Sequence, residues 1–433
     1  MFSDPEPLRR AIAEAIPDRP FQVRFWDGGV LPSTAGGGPT FIVRSPRAVA
    51  HLLRAPGELG LGRAYVTGVL DVDDLDAVMQ LVEEWQEPEI GLGTRLRLMA
   101  AGLRAAGLVR PPRRPASEFV LKGRPHTQGR DARAVRHHYD VANEFFALFL
   151  DCSMTYSCAF FSRGAQTLEE AQETKLELVC TKLALGPGDR VLDVGCGWGS
   201  FAVHAATRHG AQVVGITLSE PQARLARERA AAAGVADRVD FRVMDYRDLP
   251  DDRFDAIASI GMVEHVGESQ IDEYARTLAR LLAPGGRLLN HGIAYLSHTD
   301  TEAGDFSERY VWPDAAPLQL SVVLGALERA GFVTRHVEDF QMDYARTLTH
   351  WAERLDQHLE QAHALVGPER LRVWRLYLRA ARIGFETGFT SVYQARCELA
   401  EPPDGALAPA ERSLASVRES VRASARALAR PPA

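Results

Sequence analysis

Arg190-Val191-Leu192-Asp193-Val194-Gly195-Cys196-Gly197-Trp198-Gly199 joins an apolar run to a glycine-rich loop. The run reads as a buried strand, and a helical pattern follows Gly199. Glycines at such a junction allow a tight turn and let a ligand approach bare backbone. A dinucleotide fingerprint carries its third glycine three residues after the second. Ser200 holds that place here, and the extra glycine is Gly199.

The flanking sequence repeats the strand-to-helix pattern. Gln212–Thr217 reads as a strand, followed by a helix with Ser219 as its N-cap. Further strands are expected at 238–243 and 254–260, a helix over about 268–282, and a turn at Pro284-Gly285-Gly286 into a strand over 287–293. Such alternation predicts an α/β fold, a Rossmann-like, mostly parallel, doubly wound sheet covered by helices on both faces. More helices and strands after 316 complete the sheet, and long helices are expected over 344–385. In this setting the G-x-G-x-G spacing favours the loop of class I S-adenosylmethionine (SAM) methyltransferases over a nicotinamide loop. The Asp193 carboxylate fits a ligand with cationic amino and sulfonium groups. A strand–helix turn without ligand is the alternative. The second strand ends Gly215-Ile216-Thr217-Leu218-Ser219, without the acid that usually meets a ribose.

The chain has 433 residues, 50 Lys and Arg against 57 Asp and Glu, and a net charge of −7. That length predicts at least two domains. Apolar residues at 46% and charged residues at 25% exclude wholesale disorder and fibrous repeats. Mild acidity argues against a nucleic-acid partner. No apolar run of about 18 residues is present, so no bilayer-spanning segment is expected. Met1–Glu6 lacks the order of a signal peptide. Five cysteines without zinc spacing predict reduced thiols and no metal site; adjacent His137 and His138 do not form a ligand set.

Residues 1–103 read as a smaller N-terminal α+β domain. Phe21–Trp26 and Phe41-Ile42-Val43 flank Gly36-Gly37-Gly38-Pro39 as in a hairpin, and helices are expected around 46–54 and 73–86. Leu92, Leu96, Met99, Leu103 and Leu108 recur among Arg95, Arg97, Arg104 and Arg110, the pattern of a basic amphipathic helix. Residues 104–130 read as a basic linker, either solvated or in contact with anionic lipid headgroups. Residues 131–400 form the methyltransferase domain, and the Ala/Arg-rich tail 401–433 is expected to fray.

Several segments together resemble the cyclopropane-fatty-acyl-phospholipid synthase family, which includes mycolic acid cyclopropane synthases. They are Arg136–Phe146 (Arg-His-His-Tyr-Asp-Val-Ala-Asn-Glu-Phe-Phe), Met154–Ala159, the Asp193–Gly199 loop, Gly215–Gln222 and Ser259–His265. The resemblance implies SAM held by Tyr156, Ser157, Asp193, Gly195, Cys196, Gly197, Trp198, Gly199, Thr217, Leu218, Gln222 and Tyr246. It implies a bicarbonate ion held by Cys158, Glu264, His291 and Tyr344, and a catalytic place for Glu144, where Asp is commoner in the family. The family often supplies a second Cys where Ala381 stands, a departure that fits a branch making methylene- or methyl-branched chains. The implied substrate is the cis double bond of an acyl chain in a membrane phospholipid. The implied setting is cytoplasmic, peripheral on the inner membrane face, with a homodimer by analogy and a reductase as receiver of the product.

An isolated alkene is a weak nucleophile, and its methylation creates a carbocation. The cation must be kept from water, and a base must remove one proton. Tyr139, Phe145, Phe146, Phe149, Tyr156, Phe160 and Phe161 are candidate aromatic walls, or plain core packing. Loss of the proton from the transferred methyl gives a cyclopropane; a prior hydride shift gives an exocyclic methylene. Cys158 has the alternative of a small buried hydrophobe, Glu264 of a surface acid, and His291 of a satisfied core histidine. Two other functions stay open: a SAM methyltransferase of a soluble small molecule, and a non-catalytic lipid-binding protein.

Overall fold

The computed structural model describes residues 4–86, 88–107, 112–119, 126–139, 142–296, 305–315 and 317–400. The side chains of 135–139 lie outside the described set, with residues 140 and 141 and the tail 401–433. The expectations placed on His137, His138, the Tyr139 side chain and the fraying tail therefore fall outside it.

The N-terminal module comprises α1 (Glu6–Ala15), β1 (Gln22–Arg24), β2 (Val30–Leu31), β3 (Thr40–Val43), α2 (Arg47–Arg54), α3 (Glu58–Val66), β4 (Leu70–Val72), α4 (Leu75–Glu84) and α5 (Leu92–Ala106). Its sheet runs β2-β1-β3-β4. The expected hairpin is corrected here. β1 pairs antiparallel with β2 across Asp27-Gly28-Gly29, whereas β1 and β3 are parallel. The chain from β2 must therefore travel back before β3 begins, and Gly36–Pro39 serves that return. Helices α1 and α3 escaped sequence reading. In α3 the glycines that weaken the helical pattern are demanded by packing: a Cβ on Gly62 would lie 2.3 Å from the Phe306 ring.

The second body comprises α6 (Gln128–Tyr139), α7 (Asn143–Ala147), α8 (Leu168–Lys182), β5 (Arg190–Val194), α9 (Ser200–His209), β6 (Gln212–Thr217), α10 (Glu220–Ala232), β7 (Val239–Val243), β8 (Phe254–Ile260), α11 (Ile271–Leu281), β9 (Leu282–Tyr295), α12 (Asp305–Tyr310), β10 (Leu318–Gln319), α13 (Leu320–Arg329), β11 (Phe332–Asp339), α14 (Gln341–Gln357), α15 (Leu359–Glu386) and β12 (Thr390–Leu399). The strand order is β11-β12-β9-β8-β5-β6-β7, with β10 beside β9. Strands β5 to β9 are parallel; β11 and β12 run antiparallel. The central strands are apolar on both faces because helices cover both. From β5 the chain turns one way to β6 and later the other way to β8. The crevice beyond the carboxyl ends of β5 and β8 is thus the topological switch point, where open α/β sheets bind ligands. Strand β9 is longer than expected: it runs from Leu282 to Tyr295, with the register to β8 shifted across Pro284–Gly286.

Helix ends follow local chemistry. Thr167 and Glu170 form a capping box at α8, and the Ser219 side chain accepts from the Gln222 amide at α10. Gly367 (φ 74°) and Pro368 kink α15.

The linker boundaries shift. Helix α5 runs past residue 103 to Ala106, and α6 starts at Gln128 inside the expected linker. The segment 112–119 is anchored rather than free. Glu118 accepts from Arg63 Nε and Nη2 at 2.7 and 2.6 Å and from the Tyr310 hydroxyl at 3.3 Å. Arg372 of α15 donates to the Tyr65 and Leu70 carbonyls and to Asp71. Arg63 and Glu118 side chains are 7% and 0% exposed. Replacing Glu118 by Ala strands a buried guanidinium and should cost about 3–5 kcal/mol. Urea unfolding reads this directly, and an unshifted midpoint would show that the pair does not hold the module.

Candidate functional site

The loop after β5 is tied to its neighbour strand. The amides of Gly195 and Cys196 both donate to the Ile216 carbonyl of β6, at 3.0 and 2.9 Å. Gly199 adopts φ 81° and starts α9; a Cβ there would lie 2.6 Å from the Phe241 ring and 3.0 Å from Ala226. Only glycine lets the helix approach the sheet so closely.

A cleft of about 1150 Å³, open to solvent at its mouth, lies above this loop. Tyr156, Ser157, Asp193, Gly195, Cys196, Gly197, Trp198, Thr217, Leu218, Gln222 and Tyr246 all line it. Gly199 does not; it acts beneath the loop. Trp198 Nε1 donates to Asn143 Oδ1 at 2.7 Å, joining the loop to α7. Thr217 Oγ1 donates to Gln222 Oε1 at 2.7 Å, so hydroxyl and amide groups occupy the acid-free end of β6. Lys175 and Asp245 are among the lining residues that went unread in the sequence. Lys175 of α8 is buried and donates to Ser157 Oγ at 2.8 Å; burial pulls its ammonium down to about 8. Asp245, directly after β7, is held by Arg247 through bonds of 2.8 and 2.7 Å. A lysine inside a helix gives no sequence signal of burial, whereas an acid at a strand's carboxyl end was a readable one.

Asp193 is buried, with Oδ2 lacking any partner among the described residues. Burial pushes its carboxyl up to about 7, against the lowering pull of Lys175. An uncompensated acid below a glycine loop fits a ligand carrying positive charge, as SAM does.

A second cavity, of about 1370 Å³, shares Tyr156, Ser157, Gly261 and His265 with the cleft. Its walls are mainly apolar and include Trp312, Leu348, Tyr377, Phe385, Phe389 and Val392. Glu264, His291, Tyr344 and Ala381 line it together. Glu264 sits in a short 3-10 turn, Val263–His265, after β8. That turn rests on Gly292 of β9, where a Cβ would lie 2.4 Å from Val263 Cγ1. The Ile293 amide donates to Glu264 Oε1 at 2.7 Å, while the buried Oε2 has no partner among the described residues. Burial pushes the Glu264 carboxyl up to about 7.

His291 lies opposite Gln394 in the β9–β12 register. Gln394 Oε1 accepts from Lys182 Nζ at 2.8 Å, which turns its amide nitrogen toward His291 Nδ1 at 3.2 Å. This hydrogen-bond pattern assigns Nδ1 as acceptor and leaves the proton on Nε2, which has no protein partner among the described residues. Burial, with Lys175 and Lys182 nearby, holds the imidazole well below its usual pKa, so it is neutral. His265 is likewise neutral, pulled down to about 4 by burial.

Several expectations are corrected. Cys158 lines neither cavity; its Sγ faces the Ala159 and Phe340 carbonyls at 3.4 and 3.7 Å, and burial holds the thiol protonated. Its alternative, a small buried hydrophobe, describes it better. Glu144 is exposed on the first turn of α7 and lines neither cavity. Phe145, Phe146, Phe149, Phe160 and Phe161 pack in a buried core cluster behind the site. Tyr156 alone of the described candidate rings reaches the cavities, stacked on Trp351 at 5.1 Å and Trp312 at 6.2 Å.

Known proteins share this arrangement. The family model described as mycolic acid cyclopropane synthetase matches residues 126–395. A probable fatty acid methyltransferase from Pseudomonas putida is 38% identical over 382 residues, covering 87% of this chain and 91% of that one. The cyclopropane-fatty-acyl-phospholipid synthase of Escherichia coli (strain K12) is 35% identical over 72% of this chain and 75% of its own. The crystal structure of mycolic acid cyclopropane synthase CmaA1 complexed with SAH and CTAB superposes with a TM-score of 0.59, at 33% identity, over 62% of this chain and 98% of that one. With a glycine loop and acid shaped for a cationic donor, and these relatives beside it, the chain belongs to the mycolic acid cyclopropane synthetase family and is a SAM-dependent methyltransferase.

Proposed function

We propose that the protein methylates the cis double bond of an unsaturated acyl chain in a membrane phospholipid, yielding a methylene-branched or cyclopropane chain. The observation that carries this reading is the meeting of a polar cleft and a largely apolar cavity at Tyr156, Ser157, Gly261 and His265. A soluble small substrate would have no use for the second cavity. When bound, SAM supplies an electrophilic methyl group on a positively charged sulfur. Asp193 would face its amino group and Lys175 its carboxylate. The rings of Tyr156, Trp312 and Tyr377 present faces to the acyl chain, each able to stabilise a cation by about 0.5–2 kcal/mol. The apolar walls keep water from it.

The base belongs beside Glu264 and His291. A bicarbonate ion fits there, because His291 Nε2–H donates and the Glu264 carboxyl is poised to donate or accept; it would supply the proton acceptor. Ala381 stands on the same cavity wall, where the family often has Cys, and supports the methylene outcome. An exocyclic methylene still needs a reductase to become a methyl branch.

Purified protein incubated with SAM and oleoyl phospholipid should add one CH₂ to the lipid, read by mass spectrometry. Ring and methylene isomers separate on catalytic hydrogenation. No gain on any unsaturated lipid, with methylation of a soluble compound instead, would sink the proposal.

Glu264→Gln should slow turnover by about 10²-fold or more while leaving SAM affinity intact. Stability should move oppositely. The folded-state pKa of Glu264 is raised from 4.5 to about 7, so its ionisation penalty grows as pH rises through that interval. The variant should therefore unfold at higher temperature than wild type at pH 8, with the gap closing by pH 5. Equal melting curves at both pH values would argue that Glu264 is solvated.

Membrane contact falls to α5. Its small residues Ala101, Gly102, Ala105 and Ala106 face inward, while Leu92, Leu96, Met99 and Leu103 are 76%, 58%, 54% and 60% exposed. Arg95, Arg97 and Arg104 are exposed beside them. This apolar and basic face suits the surface of an anionic bilayer. Among the described residues no helix is long and apolar enough to cross a membrane. Co-sedimentation with vesicles containing phosphatidylglycerol should fall sharply in Leu96→Glu/Leu103→Glu; undiminished binding would move the contact elsewhere.

A further inference from the structure

Helices α8 and α9 pack together behind the cofactor cleft. From α8 come Glu177 and Cys180; from α9 come His204 and His209. Ligand atoms of Cys180, His204 and His209 all lie within 4.8 Å of one another. The Nε2 atoms of both histidines sit 3.1 Å from one oxygen, Glu177 Oε2. Cys180 is buried, and the His204 and His209 side chains are only 10% and 19% exposed. We propose that Cys180, His204, His209 and Glu177 form a structural site for a divalent transition-metal ion, zinc above all.

The chemistry suits zinc. One thiolate, two imidazoles and one carboxylate make a tetrahedral N₂SO set without an open position, as structural sites have. Zinc holds sulfur at about 2.3 Å and nitrogen at about 2.0–2.1 Å. Tetrahedral angles then put ligand atoms about 3.3–3.6 Å apart, so the Cys and His atoms close in by about 1.5 Å at most while the Glu177 contacts of 3.1 Å open slightly. Rotation of surface-facing His209 and Glu177 supplies it. Binding forms a metal–sulfur bond and breaks the Cys180 S–H bond, and that proton passes to solvent. A neutral imidazole whose Nε2 carries the proton now shared with Glu177 Oε2 takes a proton on Nδ1 instead by exchange with solvent, so each histidine ligates as a neutral Nε2 donor. Arg208 and Glu173 stand beside the site as an ion pair at 2.5 Å; the pairing keeps the Arg208 charge directed at Glu173.

Linear spacing hides this set, because Cys180 and the histidines come from separate helices. The expectation of no metal rested on that spacing. A bound ion would clamp α8, which carries Lys175, against α9, which springs from the glycine loop. It would thus stiffen the cleft from behind without touching its contents.

The test uses full-length protein with any affinity tag removed. After exposure to ZnCl₂ and gel filtration, elemental analysis should find one zinc per chain. Loading with Co²⁺ should give a sulfur-to-cobalt charge-transfer band in the near ultraviolet and tetrahedral d–d absorption. Cys180→Ala should abolish the charge-transfer band, and His209→Gln, at a more exposed position, should lower zinc occupancy at least tenfold even if the first variant folds poorly. ZnCl₂ should raise the melting temperature of wild type and not of His209→Gln. Substoichiometric zinc in wild type, or equal zinc in wild type and His209→Gln, overturns the site.

Discussion

Two buried carboxyl groups govern the working end of this molecule. Asp193 and Glu264 stand at the carboxyl ends of adjacent strands, β5 and β8, and each has one buried oxygen without a partner among the described residues. Such groups cost free energy, and folded proteins rarely tolerate them. The rest of the sheet bears the cost: its central strands are apolar on both faces and almost wholly buried. What the two acids have in common is burial, which pushes each carboxyl up to about 7. Asp193 faces the cofactor cleft and Glu264 faces the apolar cavity, on adjacent strands.

The cofactor half of the site was legible in linear sequence, and the substrate half was largely not. A strand, a glycine loop and a helix are contiguous, so Asp193 to Gly199 announce their own geometry. The boundaries of β5, β6 and β8 follow for the same reason: continuous apolar runs between glycine or polar breaks leave little freedom. The second cavity is assembled from β9, α12, Trp312, Ala315, Pro317, α14 and α15, with α3 of the N-terminal module at its edge. Trp312, Tyr377 and Phe385 carry no local mark that separates a cavity wall from ordinary packing. The aromatic run Phe145–Phe161 misled in the other direction. Its density reflects a core in which Phe146, Trp198 and Trp374 meet edge to face or tilted, and this core supports Tyr156 from behind. Cys158 was read through its motif, yet its thiol is turned onto backbone carbonyls.

The N-terminal module shows a different limit. Parallel pairing of β1 and β3 cannot be read from two apolar stretches and a glycine turn, because a hairpin satisfies the same pattern. Likewise, periodicity located the amphipathic helix α5 but not its orientation. An apolar stripe normally faces the core. Here four large side chains point outward, because small residues on the opposite side let α5 lie close to α1 and α2. Small residues face packing and large ones face solvent, an inversion that makes sense only if something apolar covers the outer face.

The electrostatics of the apolar cavity bear on how a carbocation could survive there. A freely ionised carboxylate at contact distance would capture the cation or strip a proton from whichever carbon it met. Glu58 and Glu308 also line the cavity but are exposed, and the buried groups avoid this. His291 and His265 are neutral, and Glu264 sits near half-ionisation at neutral pH with one oxygen committed to the Ile293 amide. Lys182 is committed to Glu338 and Gln394, and Lys175 to Ser157, and neither ammonium lines the apolar cavity. Apart from Glu264, His291 and Tyr344, the walls are mostly apolar and include ring surface, which stabilises positive charge without forming a bond to it. A weak, positioned acceptor among aromatic faces gives a nascent cation time to rearrange before it loses a proton, and that interval is what a hydride shift requires.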